Sequence, residues 1–359
     1  MVSIMCNTII FNFDGTGNEP LNSSYDAEKK GESISNILKL HLLFGGGLHQ
    51  DHRYGRSSRE NIKASFYYQG IGTYSNTINN TFEAIFAFSQ GDKKDILNKA
   101  MDDFSSVYTA GNKIIITGFS RGAAIARKFV TLIEEYAGYY VQPCVFLCLF
   151  DTVISDGVPD LSDDSRPSCE TLYHQNFYLS PIVNKALHMV SIDEHRLAFQ
   201  PSLLNHDPER VEEIWFSGVH SDIGGGFLND GLSDLTMLNA IEWLLFLMKL
   251  QMLPTFPLDS ESLSLDESLP MVYRDIIDDS DLTIKPNKLS HIHYKKRKGL
   301  FCLLTLESRK VCVLKDDHIV TDGSIFPVIH PSVYMRMSED PDYNPEGLQG
   351  VHFTLFSGY

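Results

Sequence analysis

Residues 114–127 decide the fold, and they read Ile-Ile-Ile-Thr-Gly-Phe-Ser-Arg-Gly-Ala-Ala-Ile-Ala-Arg. The β-branched run predicts a strand, and the alanine-rich segment directly after it predicts a helix. Between them stands a Gly-x-Ser-x-Gly pentapeptide with Ser120 at its centre. A serine on such a sharp strand-to-helix turn needs small residues two positions before and two positions after it. The stretch therefore predicts a nucleophile elbow that presents the Ser120 hydroxyl.

Apolar runs and segments with helical spacing alternate along the first 250 residues. Besides the elbow strand, strands are predicted at 8–13, 65–69, 145–150 and 212–219. Helices are predicted at 33–44, 93–108, 121–136, 181–192 and 235–250. This alternation is typical of a parallel sheet with helices on both faces. We therefore expect an α/β fold with a mostly parallel, doubly wound sheet.

The composition changes after residue 250. Residues 254–281 are acidic and contain serine and proline, which is typical of a linker or an excursion from the fold. Residues 285–298 are basic, which favours a solvated face or, alternatively, a patch for anionic lipid or phosphate. A hairpin is predicted around residues 308–310. The expected domains are a core of residues 1–250 and a C-terminal extension of residues 251–359 that packs on or caps the core.

Composition also limits the partners and the compartment. The net charge of -16 argues against a nucleic-acid partner, because phosphate binding needs concentrated lysine and arginine. None of the six cysteines forms a Cys-x-x-Cys pair, so buried free thiols in a reducing compartment are expected. Residues 1–13 lack the basic start and cleavage site of a signal peptide, and no apolar run reaches the roughly 18 residues that span a bilayer. We expect a chain made in the cytoplasm, whose export would need a machine that reads no such signal.

A nucleophilic serine implies two further residues. Its hydroxyl needs a base that removes the proton and a carboxylate that orients the base. In α/β hydrolases these follow the serine in the order acid, then histidine, each after a strand. Asp151 directly follows the run 145–150, and His220 follows the run that ends at Val219. The pattern therefore predicts Asp151 as the acid and His220 as the base.

Other side chains compete for both roles. The rival acids are Asp156, Asp193 and Asp222. Asp222 is the strongest of them because it also lies at a strand end, although it is only two residues from His220. The rival bases are His330, the second choice, followed by His188, His195 and His206. A turn or cap role for Asp151 stays open at this stage.

An acyl-transfer site also needs two donors for the oxyanion that forms on the substrate. The first is expected from the backbone N–H of Arg121, which follows the nucleophile. The second is expected from the loop Asp14-Gly15-Thr16 after the first strand, where glycine lets the backbone approach a substrate closely. The same loop could instead be a plain turn, or bind a cation through Asp14. No metal or organic cofactor is required by this chemistry.

Several motifs share their order with a known family. They are Phe13–Asn18, Gln69–Thr73, Gly118–Ala123, Phe150–Val153, Asp193–Arg196 with Phe199 and Pro201, Trp215–Gly226 and His330–Val333. Together they resemble the catalytic-domain family of type VI secretion phospholipase effectors, first lipase class. The resemblance runs from about residue 8 to about residue 250, with a weaker echo after that. The chain departs from it between Tyr74 and Gln90, where phenylalanines stand in place of expected glycines.

The resemblance implies an α/β-hydrolase fold, a Ser-Asp-His triad carried by Ser120, Asp151 and His220, and lipase or phospholipase activity in at least some members. The expected substrate is thus an acyl ester or lipid, which would bring the protein into peripheral contact with a membrane, and the protein would be exported as an effector. Two alternatives stay open: a thioesterase or amidase that acts on an acylated or conjugated protein, and a non-catalytic binding module on a hydrolase scaffold.

Overall fold

The computed structural model describes residues 7–15, 32–48, 55–57, 59–70, 90–137, 142–154, 179–227, 231–258, 282–294 and 307–359. The strands are β1 (Thr8–Phe13), β2 (Glu32–Ser35), β3 (Ile62–Tyr68), β4 (Lys113–Phe119), β5 (Cys144–Phe150), β6 (Val183–Ser191), β7 (Val211–Phe216), β8 (Gly225–Phe227), β9 (Leu314–Lys315), β10 (His318–Ile319), β11 (Val328–Ile329) and β12 (Thr354–Leu355). The helices are α1 (Asn36–Leu43), α2 (Gln90–Val107), α3 (Ser120–Ala137), α4 (His220–Gly224), α5 (Gly231–Lys249) and α6 (Pro331–Glu339).

An eight-stranded sheet forms the centre of the protein, in the order β12-β11-β7-β6-β5-β4-β1-β3. Each neighbouring pair in this sheet runs parallel. The chain moves from β1 outward to β3 and then returns to the other side of β1 to form β4. Reversals of this kind leave a crevice at the carboxyl edge of the strands, where α/β proteins bind their ligands. The predicted α/β fold with a mostly parallel sheet is confirmed.

Helices cover both faces of this sheet. Ile9, Phe11 and Phe13 of β1 pack in one apolar cluster with α2 and α3. Ile10 of the same strand lies in a second cluster with α1 and α5. Successive side chains of a strand point to opposite faces, so both faces of β1 are buried in apolar contacts. The sheet is therefore doubly wound.

Among the described residues, α5 is the longest helix and the most apolar. By length and composition it is long and apolar enough to cross a membrane. However, 72% of its apolar window is buried inside the protein. Trp243 and Leu247 lie in the cluster with α1 and the sheet. These contacts are those of a helix in the core of a folded domain.

Two sequence predictions of secondary structure are wrong. The helix predicted at residues 181–192 is instead strand β6, Val183–Ser191. A central parallel strand that is buried on both faces lacks the two-residue alternation of a half-exposed strand. The first arm of the predicted hairpin, residues 300–306, lies outside the described residues, and residues 307–313 form no strand for its second arm. The hairpin lies further on, where Asp316 and Asp317 adopt positive φ angles of 50° and 63° between β9 and β10.

The segment after residue 307 contributes to the central sheet. Val328 and Ile329 of β11 pair with Ile214 and Trp215 of β7, and β12 pairs with β11. A third apolar cluster joins Trp215 to residues of this segment such as Val311. The division at residue 250 stays a prediction, while these contacts place residues 307–359 against β7.

The elbow is formed where β4 meets α3. Ser120 has a φ angle of 57°, a left-handed conformation that is uncommon for a residue other than glycine. A Cβ atom on Gly118 would lie 2.6 Å from the Cα of Ala123. A Cβ atom on Gly122 would lie 2.3 Å from the carbonyl oxygens of both Phe13 and Asp14. The glycines on either side of Ser120 therefore allow α3 to start tightly against β4 and the end of β1.

Gly122→Ala should lower the free energy of unfolding, although alanine is favoured over glycine by about 1 kcal/mol in a helix. The added methyl group would overlap two backbone carbonyls that cannot rotate away, and overpacking of this kind costs about 1–3 kcal/mol or more. Urea unfolding measures the change. Gly111→Ala is the control. Its new Cβ meets no atom within 4 Å, so its change in stability measures only the strain of alanine at a φ of 94°. A Gly122→Ala protein more stable than wild type would contradict the overlap.

Candidate active site

The three predicted catalytic side chains lie in one hydrogen-bonded row. The Ser120 Oγ is 2.7 Å from Nε2 of His220. The Nδ1 of the same imidazole is 2.5 Å from Oδ2 of Asp151. All three residues are buried, with relative exposures of 4% or less. With the proton on Nδ1, the imidazole donates to Asp151 and accepts from the serine hydroxyl.

Asp151 is held by more than the histidine. It follows β5 with a φ of 42°, and its backbone N–H donates to the carbonyl of Met189 at 2.8 Å. The Ser191 N–H donates to its Oδ1 at 3.1 Å. Arg309 donates from Nη1 to Oδ1 at 2.6 Å and from Nη2 to Oδ2 at 2.9 Å. The carboxylate therefore accepts four hydrogen bonds without any exposure to solvent.

Arg309 is a site residue that no sequence pattern indicates. The sequence predicts it in a hairpin turn, whereas in the structure it is 1% exposed and reaches Asp151 from 158 residues further along the chain. The only local signal was an arginine next to an apolar run, Val311–Leu314, and charged residues flanking such runs are usually exposed. No spacing rule connects it to the elbow.

The charges in the row shift the pKa of both titrating members. Burial alone would raise the pKa of Asp151, but the charge of Arg309 and the hydrogen bond from His220 outweigh it and hold that pKa well below its usual range. Burial lowers the pKa of His220, and the nearby Asp151 carboxylate offsets only part of this effect. At neutral pH the site thus holds an ionised carboxylate and a neutral imidazole that can accept a proton.

The comparisons with known proteins agree with the chain's motifs. A family model described as "T6SS, Phospholipase effector Tle1-like, catalytic domain" matches residues 7–143 and 137–245. The chain belongs to this family. No curated protein matches the chain.

Two solved structures are similar in part to this member of the Tle1-like family. One is the crystal structure of an uncharacterized protein from Pseudomonas aeruginosa, with 21% sequence identity over 65% of this chain and 45% of that chain, and a TM-score of 0.39. The other is the Tle1 effector bound to the VgrG spike from the Type 6 secretion system, with 23% identity over 61% of this chain and 51% of that chain, and a TM-score of 0.37. The chain spans about half the length of each.

The Asp-Glu-His-Arg motif of residues 193–196, which lies within the matched region, surrounds His220. Glu194 accepts the backbone N–H of His220 at 3.2 Å and pairs with Arg196 at 2.7 Å. The guanidinium of Arg196 lies 3.5 Å from the ring centre of Phe199. That ring contacts the His220 imidazole edge-on at 4.9 Å, while Phe119 of the elbow lies 4.7 Å away. These contacts hold the backbone and the ring of His220.

The rival acids make other contacts. Asp222 accepts the backbone N–H of Val219 at 2.8 Å and lies 2.7 Å from Nδ1 of His293, so it caps α4. Asp193 accepts the N–H of Gly218 at 2.7 Å and the hydroxyl of Tyr343 at 2.9 Å. Asp156 lies outside the described residues. Among the described aspartates, the recorded side-chain contact to His220 is that of Asp151.

The rival histidines also have structural partners. His330 caps α6 by accepting the Ser332 N–H at 3.2 Å, and burial lowers its pKa to about 4. His188 lies 2.9 Å from Glu213, and His195 lies 3.1 Å from Ser308. His206 is exposed, and its backbone bonds to Leu314. These contacts serve helix capping and packing.

The loop after β1 is ordered by Asp14. Its Oδ2 accepts hydroxyl groups from Ser35 and Tyr67, both at 2.6 Å. Its Oδ1 accepts the N–H of Gly15 at 2.7 Å, so in this structure that predicted oxyanion donor bonds to the neighbouring side chain. Thr16 lies outside the described residues. Among the described residues, no group of three or more His, Cys, Asp or Glu side chains could hold a metal ion.

Asp193 should make stability depend on pH. Burial raises its pKa to about 6 despite the hydrogen bonds from Gly218 and Tyr343. An unfolded aspartate titrates near 4, so the folded state binds this proton more tightly. The resulting stabilisation is present below about pH 4 and is lost as the pH rises through about 6. Asp193→Asn removes this titration.

The free energy of unfolding of Asp193→Asn, relative to wild type, should therefore increase by about 2–3 kcal/mol between pH 4 and pH 7. Urea unfolding at several pH values measures this difference. A difference in the free energy of unfolding that is the same at every pH would reflect only the altered hydrogen bonds to Gly218 and Tyr343. Such a pH-independent difference would contradict the raised pKa.

Proposed function

We propose that this chain is a serine hydrolase that cleaves a carboxylic ester, specifically the acyl ester of a lipid or phospholipid. The observation that carries the proposal is the row from Ser120 through His220 to Asp151, with contacts of 2.7 Å and 2.5 Å at the carboxyl edge of a parallel sheet. Membership of the Tle1-like phospholipase effector family supports the lipid substrate.

Ser120 is the nucleophile in this mechanism. Its Oγ attacks the acyl carbonyl carbon while Nε2 of His220, 2.7 Å away, takes the hydroxyl proton. The imidazolium that forms is stabilised by the ionised Asp151, which accepts from Nδ1. The lowered pKa of the buried His220 keeps it unprotonated before the attack, so the base is ready at neutral pH.

The negative charge on the substrate oxygen needs two donors. The first is the backbone N–H of Arg121, in the first turn of α3, where the helix N-terminus favours an anion. The second is assigned to Gly15, whose N–H would exchange its bond to Asp14 Oδ1 for one to the substrate, or to Thr16, which lies outside the described residues. Both donors come from segments that the elbow brings together.

The tetrahedral intermediate collapses with return of the proton from His220 to the leaving alcohol, and an acyl ester remains on Ser120. Water then attacks this ester while His220 accepts one of its protons, and the fatty acid leaves as the serine hydroxyl is restored. Every proton transfer in this cycle uses one nitrogen, Nε2, since Nδ1 stays bonded to Asp151.

Ser120→Ala should reduce kcat by about 10⁴ to 10⁶ without unfolding the protein, because the hydroxyl has no role in the core. The assay measures release of fatty acid from phosphatidylcholine and phosphatidylglycerol vesicles, alongside an acyl thioester and a peptide amide. Hydrolysis of vesicle lipid well above that of the other two substrates is expected. A preference for the thioester or amide would contradict the lipid substrate and identify the alternative class.

Two matched aspartate variants check the mechanism in the same assay. Asp151→Asn should reduce kcat about 10⁴-fold, since the amide favours the wrong imidazole tautomer. Asp222→Asn is the control: its residue is equally buried but contacts Val219 and His293, and less than a tenfold loss is expected. Ester hydrolysis that survived in Ser120→Ala would contradict the Ser120 mechanism. A fluorophosphonate probe that failed to label Ser120 would instead favour a binding module on a hydrolase scaffold.

We also propose that the chain is made in the cytoplasm and exported as an effector by type VI secretion machinery. The family supports this assignment, because its members are described as effectors of that system. In a host carrying the machinery, the chain should appear outside the producing cells. Equal release after the machinery is inactivated would contradict this route.

A further inference from the structure

Arg309 lies beyond residue 245, where the family match ends, yet it contacts both oxygens of the proposed catalytic acid. Each of its two terminal nitrogens has two acceptors. Nη1 donates to Asp151 Oδ1 at 2.6 Å and to the Ser191 carbonyl at 2.9 Å. Nη2 donates to Asp151 Oδ2 at 2.9 Å and to the carbonyl of Phe199. All four terminal N–H bonds are therefore used.

The backbone around Arg309 is fixed on both sides. The N–H of Glu307 donates to the His195 carbonyl at 2.7 Å, and the N–H of Val311 donates to the carbonyl of Gly347 at 3.1 Å. A Cβ atom on Gly347 would lie 2.5 Å from the carbonyl oxygen of Arg309. The arginine thus enters the core from a segment that has little freedom to move.

Resting on the proposed function, we propose that Arg309 is a positioning residue for catalysis: its planar fork fixes the Asp151 carboxylate toward His220 and keeps it ionised. A buried carboxylate with 0% exposure needs a counter-charge. A fork with two parallel N–H bonds also fixes the plane of the carboxylate, which a lysine could not do. The hydrogen bond from Nη2 to the Phe199 carbonyl also holds the backbone of the residue whose ring packs on His220.

Arg309 is 1% exposed, so it acts on the reaction only through these neighbours. Its removal would leave Asp151 with a raised pKa, and it would remove a positive charge that opposes protonation of the adjacent imidazole. Both effects move the acid limb of the activity profile in the same direction, toward higher pH. A role in stability alone would not move this limb.

The test uses the full chain and a p-nitrophenyl ester, with kcat and KM measured from pH 5 to pH 9. Arg309→Met should lower kcat about 100-fold with KM nearly unchanged, because a slightly misplaced base costs rate rather than binding. The acid limb of kcat/KM should rise by about one pH unit. Arg309→Lys should return the acid limb toward its wild-type position but recover only part of kcat, since it keeps the charge without the fork.

A double-mutant cycle separates this role from simple destabilisation. If Arg309 acts through Asp151, then Asp151→Asn combined with Arg309→Met should be no less active than Asp151→Asn alone. The double variant also removes both buried charges, so it keeps the test decisive if Arg309→Met does not fold. A low-field proton NMR signal from Nδ1–H of His220 should be present in wild type and lost in Arg309→Met, whatever the substrate.

Arg210→Met is the matched control. This arginine also binds one carboxylate, Asp207 at 2.8 Å, and two backbone carbonyls. It directly precedes β7, however, and so lies at the amino ends of the strands, away from Ser120. Arg210→Met should leave the pH profile unchanged. An Arg309 variant with an unmoved acid limb, or a double variant whose losses multiply, overturns the proposal. Activity that is insensitive to Ser120→Ala would instead overturn the proposed function, and the NMR signal would still decide the role of Arg309.

Discussion

The site depends on one constraint: Asp151 must stay ionised although its carboxylate has no contact with solvent. The carboxylate is 0% exposed, so every lone pair has to be satisfied by the protein. A backbone N–H from β6, an imidazole from the first residue of α4 and the fork of Arg309 meet this need from three separate parts of the chain. Loss of any one of them changes the pKa or the orientation of the group that the base depends on.

The order of the strands explains why so much of the chain supports His220. Ser120 follows β4 and Asp151 follows β5, which are neighbours, but His220 follows β7, with β6 between it and β5. Adjacent strands lie about 4.8 Å apart, so the chain after β7 must turn back across the end of β6. Gly218 makes this turn with a φ of 114°, and Asp193 and Ser191 bind its N–H and its carbonyl. Ser191 at the end of β6 and Asp193 just after it therefore hold the turn that brings His220 back toward Asp151.

Sequence patterns predicted what local rules control. The strand before Asp151 follows from its apolar composition. The strand-to-helix elbow follows from its glycines, because a Cβ atom on Gly118 or Gly122 would lie only 2.3–2.6 Å from neighbouring backbone atoms. Strand β6 was mistaken for a helix because burial on both faces hides the alternation of a strand. Arg309 could not be found, since its partner is 158 residues away and a buried arginine has no periodicity of its own. The contacts of Asp222 likewise depended on His293, which only the folded chain brings near.

The position of Arg309 also bears on what constitutes the functional unit. Residues 7–245 match the family and contain Ser120, Asp151 and His220, so a catalytic domain could be drawn to end there. In the folded chain, however, the counter-charge of the acid and two strands of the central sheet come from residues after 307. A chain cut after the matched region would leave Asp151 as an uncompensated buried charge and expose the edge of β7. Since both consequences are unfavourable in water, the C-terminal segment is energetically part of the site, even though no residue proposed to touch the substrate lies in it.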